Sequence, residues 1–394
     1  MKGAVIKAVA EFAEVVTGGT PSTTKPEYWD GEVPWLNSGS LNEGVITAPS
    51  KYISKLGLQN SSAKLMPKDT VLIALTGATT GQVGYLAIEA SANQSVTGIL
   101  PSKEHYPKYL YFFLKSQRKK MLGDAFGGAQ PHINQKYVKD FKIPLPPLND
   151  QKRIAHLLGK VEGLIAQRKQ HLQQLDDLLK SVFLEMFGEY LKDEKNYRSI
   201  VDVCDFIDYR GKTPPRTEVG IPLISAKCVR RGYFDVERLD FVSKETYNSW
   251  MTRGFPKAND VLFTTEGATF GYTCRIPRSF QKFAVGQRLI TLVCKNGYRS
   301  EVLEFFLNDF HIQKKLSSRL SGSAALGIRS AELAKVIIPF PPSGMQDQFA
   351  IIVEKVESLK SRYRQSLTDL EMLYGALSQQ AFKGELDLSR VPLV

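Results

Sequence analysis

The sequence lacks most of the features that mark an exported, membrane-bound or catalytic chain. Its 394 residues include four cysteines, Cys204, Cys228, Cys274 and Cys294, with no C-x-x-C spacing. That pattern argues against a disulfide scaffold or a zinc site. It fits buried thiols in a reducing compartment, so a cytoplasmic location is expected. No apolar run approaches the roughly 18–20 residues that span a bilayer, so no membrane partner is expected. The opening stretch carries Glu11 and Glu14 where a secretory signal is apolar, so no export signal is expected. Catalytic motifs are also missing. No G-x-G-x-x-G opens a helix, and there is no G-x-S-x-G elbow and no H-E-x-x-H. Gly211-Lys212-Thr213 ends like a phosphate-binding loop, but that pattern needs glycine at 206, where Phe206 stands. Pro146-Pro147 lacks the preceding acidic or amide residue of an amino-methylation motif. His105, His132, His156, His171 and His311 are scattered, with His156 and His171 expected to face solvent or a partner. These absences argue for recognition without chemistry: no catalytic residue, metal or cofactor is expected on this chain.

What is present is an ordinary folded composition, 43% apolar and 23% charged, with a basic balance of +12. Length alone implies roughly two to four domains. The excess charge favours a polyanionic partner. The second half of the chain restates the first. "IPLPPLNDQKRIAHLLGKVEGL" (143–164) matches "IPFPPSGMQDQFAIIVEKVESL" (338–359), and "VLIALTGATTG" (71–81) matches "VLFTTEGATFG" (261–271). "VPWLNSGSLNEG" (33–44) matches "IPLISAKCVRRG" (221–232), and "LYFFL" (110–114) matches "LEFFL" (303–307). The order is kept and the offset drifts only between 188 and 195. This is too long for a solenoid repeat, so it reads as a duplicated domain followed by a helix.

Residues 151–187 carry apolar side chains in steps of three and four, among them Ile154, Leu158, Val161, Ile165, Leu172, Leu175, Leu179 and Val182. Residues 346–382 repeat the pattern with Ile352, Val356, Leu359, Tyr363, Leu367, Leu370, Tyr374 and Leu377. Each predicts a long amphipathic helix with a coiled-coil-like seam, and two such helices are expected to pack antiparallel on one another. Asn149 or Asp150 is expected to cap the first, a Ser343–Gln346 capping box to open the second, and Gly188 and Gly384 to stand near their ends. "DTVLIAL" and "NDVLFTT" predict strands, each running into a Gly-Ala-Thr-x-Gly turn, while "KYLYFFLKSQRKKML" and "EVLEFFLNDFHIQKKL" predict short helices. The fold class is therefore α+β: two duplicated globular domains, 1–150 and 195–342, with helices at 151–194 and 343–394. The two domains carry +4 and +9, and the helical segments 0 and −1. Two basic heads on a neutral rod suit a polyanion such as DNA.

At this point the residues resemble a known family, the specificity subunit of type I restriction-modification enzymes. "GGTPSTTKPEYWDGEVPWLNSGSL" is similar to the opening of that family's target-recognition domain. "YRGKTPPRTEVGIPLISAKCV" repeats it, with Leu223 where the tryptophan would stand. The likeness covers essentially the whole chain. It implies that each head reads one half of a bipartite DNA target. It also implies that the helices set the half-site spacing and dock two adenine methyltransferase subunits, with restriction subunits joining them. S-adenosylmethionine, ATP and Mg would then sit on those partners. Two other classes stay open: a free-standing two-headed regulator or scaffold, and an enzyme acting on DNA itself.

Candidate DNA contacts are polar and basic side chains near turns. In the first head they are Lys25, Asn37, Ser38, Thr79, Gln94, Gln130, His132 and Asn134; in the second, Arg210, Lys212, Lys227, Arg230, Arg231, Arg275, Arg288 and Arg329. Candidate docking residues on the helices are Gln151, Arg153, Lys160 and Glu162, with Gln346, Lys355 and Glu357. Tyr28, Trp29, Trp35 and Phe234 are expected in the core, and "GGAQPHIN" and "SGSAALGIR" are expected to be DNA-facing loops.

Overall fold

The computed structural model describes residues 4–128, 130–209, 213–321 and 326–393. It divides into two compact units, Met1–Gln170 with Arg364–Val394, and His171–Tyr363. No helix among the described residues is long and apolar enough to cross a membrane.

The first unit is built on a five-stranded sheet in the order Val15–Thr17, Val96–Ile99, Val71–Ala74, Val83–Leu86, Val45–Ile46. Its neighbours pair antiparallel except the last, which is parallel. All four residues of Val71–Ala74 are buried. Side chains alternate across a strand, so Val71 and Ile73 join a core with Tyr109, Leu110 and Phe113, while Leu72 and Ala74 join Leu36, Leu41 and Met66 on the other face. Burial on both faces is why this strand reads as an unbroken apolar run. A smaller sheet places Trp29–Leu36 between Lys51–Ile53, antiparallel, and Ser91–Ala92, parallel. Tyr28 and Trp35 are buried, and Trp29 is half-buried with its ring edge-on to Trp35 at 5.3 Å. The first strand, Val5–Ala8, pairs antiparallel with the last, Lys142–Leu145, and so ties the head's ends together.

The second unit repeats this plan. Cys204–Asp208, Leu289–Cys294, Val261–Thr264 and Thr273–Arg275 form an antiparallel sheet in that order. Ile221–Ile224 lies between Asp240–Val242 and Ala284–Val285, and Tyr197–Ser199 pairs with Ile337–Pro339. Val261 and Phe263 face one core and Leu262 the other. Phe234 is half-buried against Phe280, ring centroids 5.3 Å apart. The expected helix over 108–122 is two, Pro107–Ser116 and Arg118–Gly123. Its counterpart breaks at Asp309, whose carboxylate accepts the His311 N–H at 2.8 Å and so caps a new helix.

Two long helices complete the fold: α1 (Leu148–Phe187, 40 residues) and α2 (Ser343–Lys383, 41 residues), each about 60 Å long. Within the first unit, Ile154 and Leu158 of α1 share a core with Ala381 of α2, and Lys169 pairs with Glu371 at 3.1 Å. Within the second, Asp176 pairs with Lys360, and the Phe183 and Phe187 rings lie 5.7 and 5.4 Å from Phe349. In both units rising numbers on α1 meet falling numbers on α2, so the segments run antiparallel. Full burial is confined to the stretches beside each head; Ile165, Leu172, Leu367 and Leu370 are only half-buried, because one partner helix covers one side.

Both expected helix starts are corrected. α1 begins at Leu148, so Asn149 and Asp150 lie inside it, and the Asp150 and Gln151 N–H groups donate to Pro147 O at 2.8 and 3.1 Å. α2 begins at Ser343 itself, and its Gln346 side chain is committed elsewhere, so no capping box forms. Gly384, at φ +77°, follows the last residue of α2 in the left-handed conformation that stops a helix.

Candidate nucleic-acid interface

The first head gathers five loops at one edge of its sheets. Gly18 and Gly19 donate to Val96 O at 2.9 Å and Ala92 O at 2.8 Å. A Cβ on Gly18 would stand 2.2 Å from Ala92 O, so this approach requires glycine. Thr20 Oγ1 then donates to Gln94 Oε1 at 2.5 Å, and Asn93 N–H to Leu36 O at 2.9 Å. Leu75 N–H donates to Ser95 O at 2.7 Å, and Ile133 N–H to Leu75 O at 2.9 Å. Gly77 N–H and Thr80 Oγ1 both donate to Pro131 O. Asn37, Gln94, Gln130, His132 and Asn134 are thereby exposed on neighbouring loops, with Ser38 and Thr79 half-exposed. Asn37 and Asn134 also cap short helices, accepting the Ser40 and Tyr137 N–H groups. Lys25 is exposed on the stretch that follows Thr20 and donates to the Tyr28 hydroxyl at 3.1 Å.

The second head uses the same backbone scheme. Thr265 N–H donates to Arg288 O at 3.0 Å and Ile328 N–H to Thr265 O at 2.9 Å, while Gly271 N–H donates to Thr264 O and Gly286 N–H to Ile224 O. Here the exposed side chains are charged. Arg288 pairs with Glu266 at 2.9 Å, and Arg329 is exposed one residue beyond Ile328. On the stretch after Ile224, Lys227 pairs with Asp240 at 3.4 Å, the half-buried Arg230 with Asp235 at 3.6 Å, and Arg231 lies over the Tyr272 ring at 5.4 Å. Arg210 and Lys212 lie outside the described residues, as do parts of both Gly/Ser-rich loops.

Arg275 does not belong to this edge. Its side chain is only 9% exposed. Its Nε donates to Glu304 at 2.7 Å and its Nη1 to Asn259 at 2.8 Å, and it also pairs with Glu301 and Glu357. Burial alone would lower its pKa, but Glu304 and Glu357 more than offset that, so it stays charged. Burial also raises the Glu304 carboxyl, against the pull of Arg275. The arginine is an internal strut, not a DNA contact.

The helix residues expected at a docking face divide in the same way. Gln151 and Gln346 are each 1% exposed, so neither is available to a partner. Gln151 accepts the Tyr106 N–H at 2.7 Å and donates to Pro146 O at 2.9 Å. Gln346 accepts the Arg299 N–H at 2.9 Å and donates to Pro341 O at 2.8 Å. Each clamps a head's helix-opening loop to the start of the long helix. Glu162 pairs with Lys115 and Glu357 with Arg275, so both duplicated glutamates are turned to their own heads. Arg153 pairs with Asp150 at 3.4 Å, and Lys160 and Lys355 remain exposed. His156 is half-buried with Nε2 enclosed, while His171 is exposed beside the Tyr363 ring. Beside α1 in the first unit lies a groove of about 750 Å³, lined by Lys108, Lys152, Lys160, Tyr85 and Tyr111. Sequence reasoning missed Lys115, Glu304 and Glu266; in the repeat register they stand opposite Asn308, Tyr111 and Thr76, so the duplication carried no signal for them. Among the described residues, no group of three His, Cys, Asp or Glu side chains is placed to hold a metal.

The chain matches the family model of the type I restriction modification DNA specificity domain twice, over residues 1–176 and 192–369. It belongs to that family. Along 97% of its length it is 27% identical to the type I restriction enzyme MjaIX specificity subunit of Methanocaldococcus jannaschii, covering 93% of that protein. A 40% stretch is 29% identical to the EcoR124I/EcoR124II specificity subunit of Escherichia coli, covering 41% of it. The crystal structure of the type I restriction-modification S subunit from M. genitalium shares the fold with a TM-score of 0.61 at 16% identity, over 96% of each chain. The duplicated heads and paired helices are thus those of a specificity subunit, a recognition chain rather than a catalytic one.

Proposed function

We propose that each head of this specificity subunit reads one half of a bipartite DNA sequence through its loop edge. The observation that carries this is the pair of edges. The same backbone hydrogen bonds support both, yet one presents neutral polar side chains and the other charged ones. One scaffold with two side-chain sets suits two different half-sites. The helices set the separation between half-sites, because two heads held by a stiff spacer bind together only when both targets lie at the matching distance. The helix flanks, with exposed Lys160 and Lys355 and the lysine-lined groove, dock two adenine methyltransferase subunits, and restriction subunits join that assembly. S-adenosylmethionine, ATP and Mg act on those partners.

Exchanging residues 1–150 for the corresponding head of another family member tests the modular part. Mapping methylated adenines should then show one half of the target changed and the other kept. A change in both halves would refute independent reading.

A further inference from the structure

Five non-glycine residues among those described have positive φ: Asp30, Asp69, Asn259, Asn296 and Arg288. Four are Asp or Asn, whose short side chains tolerate that conformation by bonding locally. Arg288, at φ +67°, has no such excuse. Strain of this kind persists where surrounding structure imposes it, and it gathers at functional positions. Arg288 O accepts the Thr265 N–H at 3.0 Å, which fixes the arginine beside the Gly-Ala-Thr turn. Glu266, the next residue on that turn, faces Gly327 across an isolated bridge. A Cβ on Gly327 would stand 2.9 Å from Glu266 Cβ, so glycine there lets the last loop lie close against the glutamate. In the first head the matching acceptor is Ser95 and the matching turn residue Thr76. The charged pair is peculiar to the second head.

The pair serves no packing purpose, with Arg288 56% and Glu266 39% exposed. The contact engages Arg288 Nε at 2.9 Å, and neither Nη group donates a hydrogen bond to the described residues. Their fork matches guanine O6 and N7 in the major groove, and a carboxylate accepts from cytosine N4. A donor fork held beside an acceptor is the complement of one G·C base pair. We propose that Arg288, positioned by Glu266, reads a G·C pair in the half-site of the second head. This rests on the DNA-reading function proposed above and names one of its specificity-determining contacts.

Arg288→Gly is the informative variant, because glycine is at ease at φ +67° and the fold loses no buried contact. The test is methyladenine mapping in the host lacking this gene, complemented with wild type, Arg288→Gly or Glu266→Gln, together with the melting temperature of each purified chain. The expected wild-type motif holds a G·C pair that Arg288→Gly relaxes, in one half only. Discrimination there should fall about 10- to 100-fold, the worth of one bidentate arginine–guanine contact. Glu266→Gln should weaken the same position less, and the Arg288→Gly melting temperature should not fall. An unrelaxed motif, or a motif with no G·C pair in the affected half, overturns this assignment and leaves the DNA-reading function standing. A methylation pattern independent of the gene overturns both.

Discussion

Replacing Arg275 with Met is the sharpest test of the structural argument, because sequence placed this residue on DNA and the structure places it inside the second unit. The variant removes the counter-charge of Glu304, whose side chain is 6% exposed. Glu357 is 48% exposed and is left to water, and Glu301 keeps its Asn259 hydrogen bond at 2.9 Å, so Glu304 carries most of the cost. Stranding one buried carboxylate costs about 3–5 kcal/mol. Hydrogen–deuterium exchange of the full chain reads the units separately. Amides of Val261–Cys294 should exchange about 150- to 5000-fold faster where opening is limited by that unit's stability, and those of Val71–Ile99 should not change. The stranded carboxyl is raised above its unfolded value, so it favours the folded state when protonated. The defect should therefore shrink as pH falls toward 5 and grow toward neutrality. Adding Glu304→Gln should recover more than half of the loss. Unchanged exchange in Val261–Cys294, with weakened DNA binding, would refute the internal role.

Two further outcomes rest on the helices and on a buried histidine. Inserting one heptad into both α1 and α2, in register, lengthens them by about 10 Å, so the methylated motif should gain about three base pairs of spacer; an unchanged spacer would remove the helices as the ruler. His105 is buried, with its Nδ1 2.9 Å from Ser102 Oγ, and burial pulls its pKa down to about 4, against the opposing pull of Glu104. The unfolded chain takes up this proton near pH 6.5 and the folded chain does not, so stability present above pH 6.5 is lost on acidification toward pH 4, by up to about 3 kcal/mol. Urea midpoints of wild type and His105→Gln should converge or cross over that interval, and a constant difference would contradict the assignment.

The architecture was legible because periodicity and duplication are properties of the chain alone. "VLIAL" and "VLFTT" are apolar on both faces because both faces are buried, and the helix pattern of steps of three and four gave both long helices. The roles of single polar residues were not legible. Gln151 and Gln346 look like surface glutamines at helix starts, yet each accepts from a backbone N–H 45 or 47 residues earlier in the chain and donates to a proline carbonyl five residues before it. Arg275 looked like one of several basic residues near turns. Its difference lies in Glu301 and Glu304, which come from a helix 26 and 29 residues later. Arg288 was named among the DNA candidates, but its backbone strain and its Glu266 partner are matters of geometry that composition does not carry.

The most direct test of the account is a genome-wide map of methyladenine in the host with and without this gene. Deletion should abolish methylation at a single bipartite motif, with two specific halves around a fixed spacer, and the intact gene should restore it. An identical map in both strains, or the loss of a continuous motif with no spacer, would contradict it.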